Sequence, residues 1–184
     1  MTRTVRSIAV FCLGLLFILT CGASIAETRA IIFRLPKSFN ELPTTITSSL
    51  VKEGCRIPQT TIEGNLVSTN VITGEFAKKG QKDWAILCSK DGSLYIRLFW
   101  GGAIHCPSEI DIGSIISEKD IVNGLEFDHS IGTASKNAIL QDYEEYGGTK
   151  PPAITHLGID YGSEKGSEVY YCHNNEWVEL TGSD

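Results

Sequence analysis

The sequence predicts an α+β fold in which two helices pack on a mainly antiparallel sheet and disulfide bonds hold the chain together. Three observations support this fold class. Residues 66–100 contain three consecutive runs of apolar, β-branched and aromatic residues, as strands do. Residues 43–53 and 135–146 have the apolar spacing of helices. An even number of cysteines, four, lies after residue 26.

The first 26 residues have the layout of a cleaved signal peptide. Arg3 and Arg6 form a basic start, residues 8–19 form an apolar stretch, and Ser24-Ile25-Ala26 supplies small residues before the cleavage point. Two alternatives stay open, an uncleaved N-terminal anchor and a lipoprotein acylated at Cys21. We expect residues 27–184 to form one globular domain that is periplasmic or secreted and meets the membrane only during export.

Both predicted helices carry end signals. Pro43 stands in the first turn of the first helix, and Gly54 stands where a left-handed cap would end it. Ser135 is the expected N-cap of the second helix, and Gly147-Gly148 ends that helix. The apolar positions that would face the core are Leu42, Ile46 and Leu50 in the first helix and Ile139, Leu140, Tyr143 and Tyr146 in the second.

The strand-like runs cover residues 66–76, 83–89 and 93–100. Asp91-Gly92 predicts a tight hairpin between the last two, because glycine accepts a positive φ. In the third run, aromatic residues occur at both odd and even positions, which point to opposite faces of the sheet. We therefore expect other parts of the chain to cover both faces. Weaker signals predict strands at 30–35 and 109–116, a loop at 117–128, and a hairpin over 167–181 that turns at Asn174-Asn175.

Four cysteines in an exported chain predict two disulfides with three alternative pairings. The residues are Cys55, Cys88, Cys106 and Cys172. We favour Cys55–Cys88, which would join a helix end to a central strand, and Cys106–Cys172, which would fasten the C-terminal hairpin. A Cys₂His₂ metal site with His105 and His173 is the alternative, although adjacent His-Cys side chains of a strand point to opposite faces.

Several segments resemble a group of small exported bacterial proteins to which no activity is attached. The resemblance spans residues 50–182 and rests on Gly54-Cys55-Arg56-Ile57-Pro58-Gln59, on Asn70-Val71-Ile72-x-Gly74-x-Phe76, and on Gln81-x-Asp83-Trp84-Ala85-Ile86-Leu87-Cys88-Ser89. The later Tyr143-Glu144-x-Tyr146-Gly147-Gly148 and Trp177-x-x-Leu180-Thr181-Gly182 are similar too. This likeness implies a family and not a function.

Residues 74–87 are also similar to one FG-GAP unit, a strand–loop–strand element whose loop binds calcium in integrin-type propellers. The positions that correspond to the calcium ligands are Glu75, Ala77, Lys79 and Asp83. Calcium takes six to eight oxygen ligands, and Glu75 and Asp83 are the two carboxylates among these four positions. The sequence therefore predicts a degenerate loop without a metal or any other cofactor.

No catalytic residue is assigned from the sequence. The chain lacks GxSxG, HExxH and GxxxxGK[ST] motifs, and the adjacent residues Asp128-His129-Ser130 cannot easily converge on one point. A binding surface is the alternative use of the polar and aromatic residues. Trp84, Tyr95 and Trp100 are candidates for it, with Trp100 expected to be the most exposed because it precedes Gly101-Gly102 at a strand end.

The sequence favours a non-enzymatic binding or accessory protein. The formal net charge is −6, and loss of Arg3 and Arg6 with the signal makes it −8, which argues against nucleic acid and favours a cationic partner. A peptide or a sugar in the cell envelope is the expected ligand. One alternative is a small periplasmic hydrolase that uses His105, His129 or His173 with Asp111 or Asp128. Another is a structural module built on the degenerate calcium loop.

Overall fold

The computed structural model describes residues 31–62, 65–68, 70–114, 127–163 and 165–183. The predicted signal peptide and most of the predicted loop at 117–128 lie outside these residues. A 3-10 turn covers Pro36–Ser38. The helices are α1 (Thr44–Glu53) and α2 (Lys136–Tyr146). The strands are β1 (Phe33–Arg34), β2 (Ile57–Pro58), β3 (Thr60–Ile62), β4 (Asn65–Ser68), β5 (Val71–Gly74), β6 (Asp83–Lys90), β7 (Ser93–Phe99), β8 (Glu109–Ser114), β9 (Ser130–Ala134), β10 (Gly158–Ser163), β11 (Gly166–His173) and β12 (Glu176–Thr181).

Two four-stranded antiparallel sheets form the centre of the molecule. The first sheet has the strand order β5-β6-β7-β8, and the second has the order β12-β11-β10-β9. Two short ribbons, β1-β2 and β3-β4, accompany them. The α+β class, the antiparallel pairing and the two helices confirm the predicted fold class, although the strands form two main sheets where we had expected one.

The core has three apolar layers, so the order of elements is α1, first sheet, second sheet, α2. Between the sheets lie the inward side chains of both, among them Leu87, Ile96 and Ile159. The outer face of the first sheet packs on α1 through residues such as Leu50 and Ile86. The outer face of the second sheet packs on α2 through Ile139, whereas Leu140 and Tyr146, which we had expected to face the core, are exposed. Because successive side chains of a strand point to opposite faces of its sheet, each strand contributes to the layer between the sheets and to an outer layer.

The helix boundaries follow from the predicted end signals. Gly54 has a φ of 79°, a left-handed conformation that suits glycine, and its amide donates to the carbonyls of Leu50 and Val51. The hydroxyl of Ser135 accepts a hydrogen bond of 3.2 Å from the amide of Ala138 at the start of α2. Both helices therefore begin and end within one residue of the prediction.

Asn70 interrupts the strand that we predicted over residues 66–76. It has a φ of 57°, and its fully buried amide donates to the Pro58 carbonyl at 2.8 Å. Its side-chain oxygen accepts from the amide of Ile131 at 3.1 Å. Because these bonds join β2 to β9, the chain turns here, and two strands, β4 and β5, replace the single strand. The strand predicted at 30–35 is likewise limited to β1.

The cysteines pair as the sequence favours. Cys55 joins Cys88, so the end of α1 is fastened to β6, and Cys106 joins Cys172, so the connection between β7 and β8 is fastened to β11. Among the described residues, no helix has both the length and the apolar character that a bilayer crossing requires.

Candidate functional site

The connection between β7 and β8 forms one side of an open cavity of about 430 Å³. Residues 103–108 and Asn175 line the cavity, and we call them the 103–108 surface. Ile104 is its most conspicuous member, because 46% of this large apolar side chain is exposed. Pro107 and Ala103 are exposed beside it. The surface therefore presents an exposed apolar group beside the polar residues His105, Ser108 and Asn175.

Side chains from three other segments hold the 103–108 surface in place. The Cys106–Cys172 disulfide fastens it to β11. The indole N–H of Trp177 donates to the carbonyl of Pro107 at 2.9 Å, and the side-chain amide of Gln81 donates to the carbonyl of Ile104 at 2.8 Å. These contacts fix a segment that has no helix or strand of its own, so the surface is preformed.

Trp100 and Trp177 support this surface from behind. Their rings stack with centroids 5.9 Å apart, and both pack against the buried Cys106–Cys172 disulfide. The indole N–H of Trp100 donates to the Ser108 hydroxyl at 3.0 Å. Neither indole lines the cavity itself. Trp100 is half-buried. Its hydrogen bond to Ser108 positions the segment next to it.

The other two residues of the predicted binding surface lie elsewhere. Trp84 and Tyr95 pack on the outer face of the first sheet, beneath α1, together with Phe99. The ammonium of Lys82 lies 5.4 Å from the centroid of the Trp84 ring. Trp100 belongs to the opposite side of the same sheet. The structure therefore separates Trp84 and Tyr95 from Trp100 and does not bring the three into one site.

Asp83, one of the two acidic candidates in the loop at 74–87, is fully buried. One carboxylate oxygen accepts from the amides of Phe76 and Ala77 at 3.0 and 3.2 Å. The other accepts from the side chain of Gln81 at 2.8 Å and from the amide of Gly101 at 2.9 Å. Four protein donors thus occupy this carboxylate.

Glu75, the second acidic candidate, is half-buried, and its backbone carbonyl accepts from the amide of Leu157 at 3.0 Å. Among the described residues, no three His, Cys, Asp or Glu side chains are grouped as metal ligands. Asp83 fixes the loop at 75–82 to Gly101, at the base of the 103–108 surface.

A second, polar cluster lies at the opposite end of the sheets. The phenol of Tyr161 and Nδ1 of His129 are 3.0 Å apart, and Nε2 of His129 lies 3.8 Å from a carboxylate oxygen of Asp128. His129 and Tyr161 border an open cavity of about 310 Å³, which Lys165 and Glu168 also line. Tyr161 belongs to no motif, and no local pattern in the sequence indicates its contact with His129.

Burial sets the protonation states in this cluster. It lowers the pKa of His129, an effect that nearby Asp128 opposes and Lys165 reinforces. Burial also raises the pKa of Tyr161, and the carboxylates of Glu168 and Asp128 raise it further. At neutral pH the imidazole is therefore uncharged and the phenol keeps its proton.

The remaining candidates for the hydrolase do not form a comparable pair. Within the part of the chain that the structure describes, one histidine lies close to a carboxylate, His129 at 3.8 Å from Asp128. A carboxylate oxygen of Asp111 accepts from the amide of Gly113 at 2.9 Å in its own strand. His156, which was not a preferred candidate, stacks on Tyr171 with centroids 4.3 Å apart. Comparisons with protein-family models, curated protein sequences and solved structures find no match to this chain.

Proposed function

We propose that this chain is an exported, non-enzymatic binding or accessory protein that recognises its partner at the 103–108 surface. Two features support export, namely the signal-peptide layout of residues 1–26 and the two disulfides. A disulfide-bonded domain of this kind is suited to an oxidising compartment, where its cross-links persist.

The observation that carries this proposal is an apolar segment held rigidly in an exposed position. Ile104 is 46% exposed, and Ala103 and Pro107 are exposed beside it, while Cys106 of the same segment is buried against the stacked Trp100–Trp177 pair. Apolar residues that are exposed side by side on a fixed support are typical of interaction sites. Because the disulfide and the indole hydrogen bonds already order the segment, little conformational entropy is lost on binding.

Replacing Ile104 by glutamate is expected to reduce partner binding at least about tenfold, because a charge would be desolvated at the centre of the contact. The matched control is Ile32→Glu, since Ile32 is 54% exposed and lies outside this surface. A photo-crosslinking amino acid at position 104 or 32 of the exported, oxidised protein, used in the producing cells, captures the partner, and calorimetry then compares the affinity of that partner for the unaltered protein and for the two glutamate variants. A defined adduct at 104 that is absent at 32 supports the proposal, and equal labelling at both positions contradicts it.

A hydrolase is the second candidate, and the His129 cluster favours it over the other histidines. A neutral imidazole that contacts a hydroxyl on one side and a carboxylate on the other has the parts of a general base. The raised pKa of Tyr161 argues against that phenol as an activated nucleophile, so this candidate ranks second.

Ester hydrolysis tests the second candidate with 4-nitrophenyl acetate as the probe. If His129 is the base, His129→Gln should lower the rate at least about a hundredfold. The rate should rise with pH and reach half its plateau below pH 6.5, because burial lowers the pKa of His129. His156→Gln serves as the control. Wild-type rates no higher than those of the His129 variant would exclude this role.

A further inference from the structure

The two free strand edges beside the 103–108 surface differ in how they are protected. Strand β8 is an edge of the first sheet, and its register shifts opposite Leu94 and Tyr95, where Gly113 has a φ of 98°. Such a bulge blunts an edge against additional strands. Strand β12 is an edge of the second sheet and pairs with β11 over six residues without a shift. It contains no proline, lysine or arginine.

The geometry of the final hairpin shows which backbone groups of β12 face outward. Asn174 and Asn175 have φ values of 53° and 67°, as in a two-residue type I′ turn. The hydrogen bond of such a turn joins its first and fourth residues, His173 and Glu176, so Glu176 faces β11. Antiparallel pairing then alternates, which points the amide and carbonyl of Trp177 and Glu179 away from β11.

Those outward groups are unpaired within the described part of the chain. No described hydrogen bond from outside the sheet reaches the backbone of Trp177 or Glu179. At one end of the strand Cys106 Sγ lies 3.1 Å from the carbonyl of Glu176, on the side of β11, and at the other end a side chain at Gly148 would overlap Thr181. A short open edge therefore remains at the middle of β12.

Carboxylates outnumber basic side chains around this edge, because Lys136 at the start of α2 is the only lysine or arginine of α2, β11 and β12. Glu176 and Glu179 are exposed on β12, and Glu144 and Glu145 are exposed on α2, which packs against that strand. Neither β11 nor residues 137–148 of the sequence contribute a lysine or an arginine. A complementary ligand is therefore cationic.

We propose that β12 takes up a basic, extended peptide segment as an additional strand of the second sheet. The proposal rests on the proposed binding role and names the ligand class of that site. Backbone amides and carbonyls of the segment pair with those of Trp177 and Glu179, which is strand addition, and its lysines or arginines face the surrounding carboxylates. Asn175 and Trp177 connect the edge to the 103–108 surface, so apolar side chains of the same segment lie near Ile104.

Calorimetry with a capped octapeptide of alternating valine and lysine tests this assignment on the oxidised protein. We expect binding of this peptide, no binding of the valine–glutamate counterpart, and a loss of at least about tenfold when alternate amides are N-methylated. N-methylation removes donors but leaves the charge, so it separates strand addition from electrostatic attraction. Equal affinity for the methylated peptide would overturn the proposal.

Variants of Glu179 give the complementary test on the protein. Glu179→Gln removes only the charge and should weaken binding about threefold, whereas Glu179→Pro also removes the outward amide and should weaken it at least about tenfold. Glu41→Gln, an exposed residue before α1, is the control. Should the proline variant not fold, the methylated peptide still decides the question.

Three further outcomes would contradict one or both of the proposals. Sedimentation velocity that shows a dimer sensitive to Glu179→Pro would make a second copy of the chain the occupant and overturn the proposal. If the octapeptide does not bind while position 104 still crosslinks specifically, strand addition is wrong and the proposed binding role stands. If the octapeptide does not bind and position 104 does not crosslink, both strand addition and the proposed binding role are wrong.

Discussion

Replacing Asp83 by asparagine is expected to lower the free energy of unfolding by about 3 kcal/mol. The carboxylate of Asp83 accepts four hydrogen bonds, and an asparagine of the same size would turn a donor group toward two of the four donors. Buried donors that lose their acceptor keep the full cost of desolvation. The loop at 75–82 and Gly101 would separate, and the 103–108 surface would lose its base.

Urea denaturation measures this loss, with Asp91→Asn as the matched control. Asp91 is exposed in the turn between β6 and β7 with a φ of 49°, a conformation that asparagine accepts readily. The control should therefore change stability by less than about 0.5 kcal/mol. A chelator should leave the unfolding midpoint of the unaltered protein unchanged, since protein donors occupy Asp83. Equal effects of the two substitutions, or a fall in midpoint with chelator, would contradict this account.

Removing either disulfide by a double alanine substitution should lower the free energy of unfolding by about 4 kcal/mol. The cross-links Cys55–Cys88 and Cys106–Cys172 span 33 and 66 residues. The entropy that a cross-link removes from the unfolded chain rises only slowly with the length of the loop that it closes. The two variants should therefore be destabilised to nearly the same extent.

Amide exchange should distinguish these two variants. Loss of Cys106–Cys172 removes the main tether of residues 101–108, so exchange there should accelerate. Loss of Cys55–Cys88 should spare that segment, because the stacked indoles and Gln81 still hold it. Each variant is the control for the other. Unchanged exchange at 101–108 in the Cys106/Cys172 variant would show that the indoles suffice.

The helices and the hairpins were predictable because their signals are local. Gly54, Ser135 and the two asparagines at 174 and 175 act within a few residues of their own position, and each occupies its predicted place. The division into two sheets was not predictable in this way. It depends on contacts such as the bond from Ile131 to Asn70, which are distant along the sequence.

The candidate site shows the same division between local and distant information. Alternation along β7 already placed Tyr95 and Trp100 on opposite faces, and the structure agrees, so the sequence contained evidence against grouping them. Ile104 and Tyr161 had no such signal. Ile104 lies in a segment without periodicity, and the contact of Tyr161 with His129 depends on how β9 pairs with β10.

The two disulfides connect three of the four layers and leave α2 without a cross-link. One cross-link ties α1 to the first sheet and the other ties the first sheet to the second, whereas α2 contains no cysteine and packs on the second sheet through apolar side chains. Partial opening therefore costs least at α2, which can leave the sheets without breaking a covalent bond. A protease acting on the native protein would first cut near residues 147–153, and the three cross-linked layers would remain as a resistant remnant.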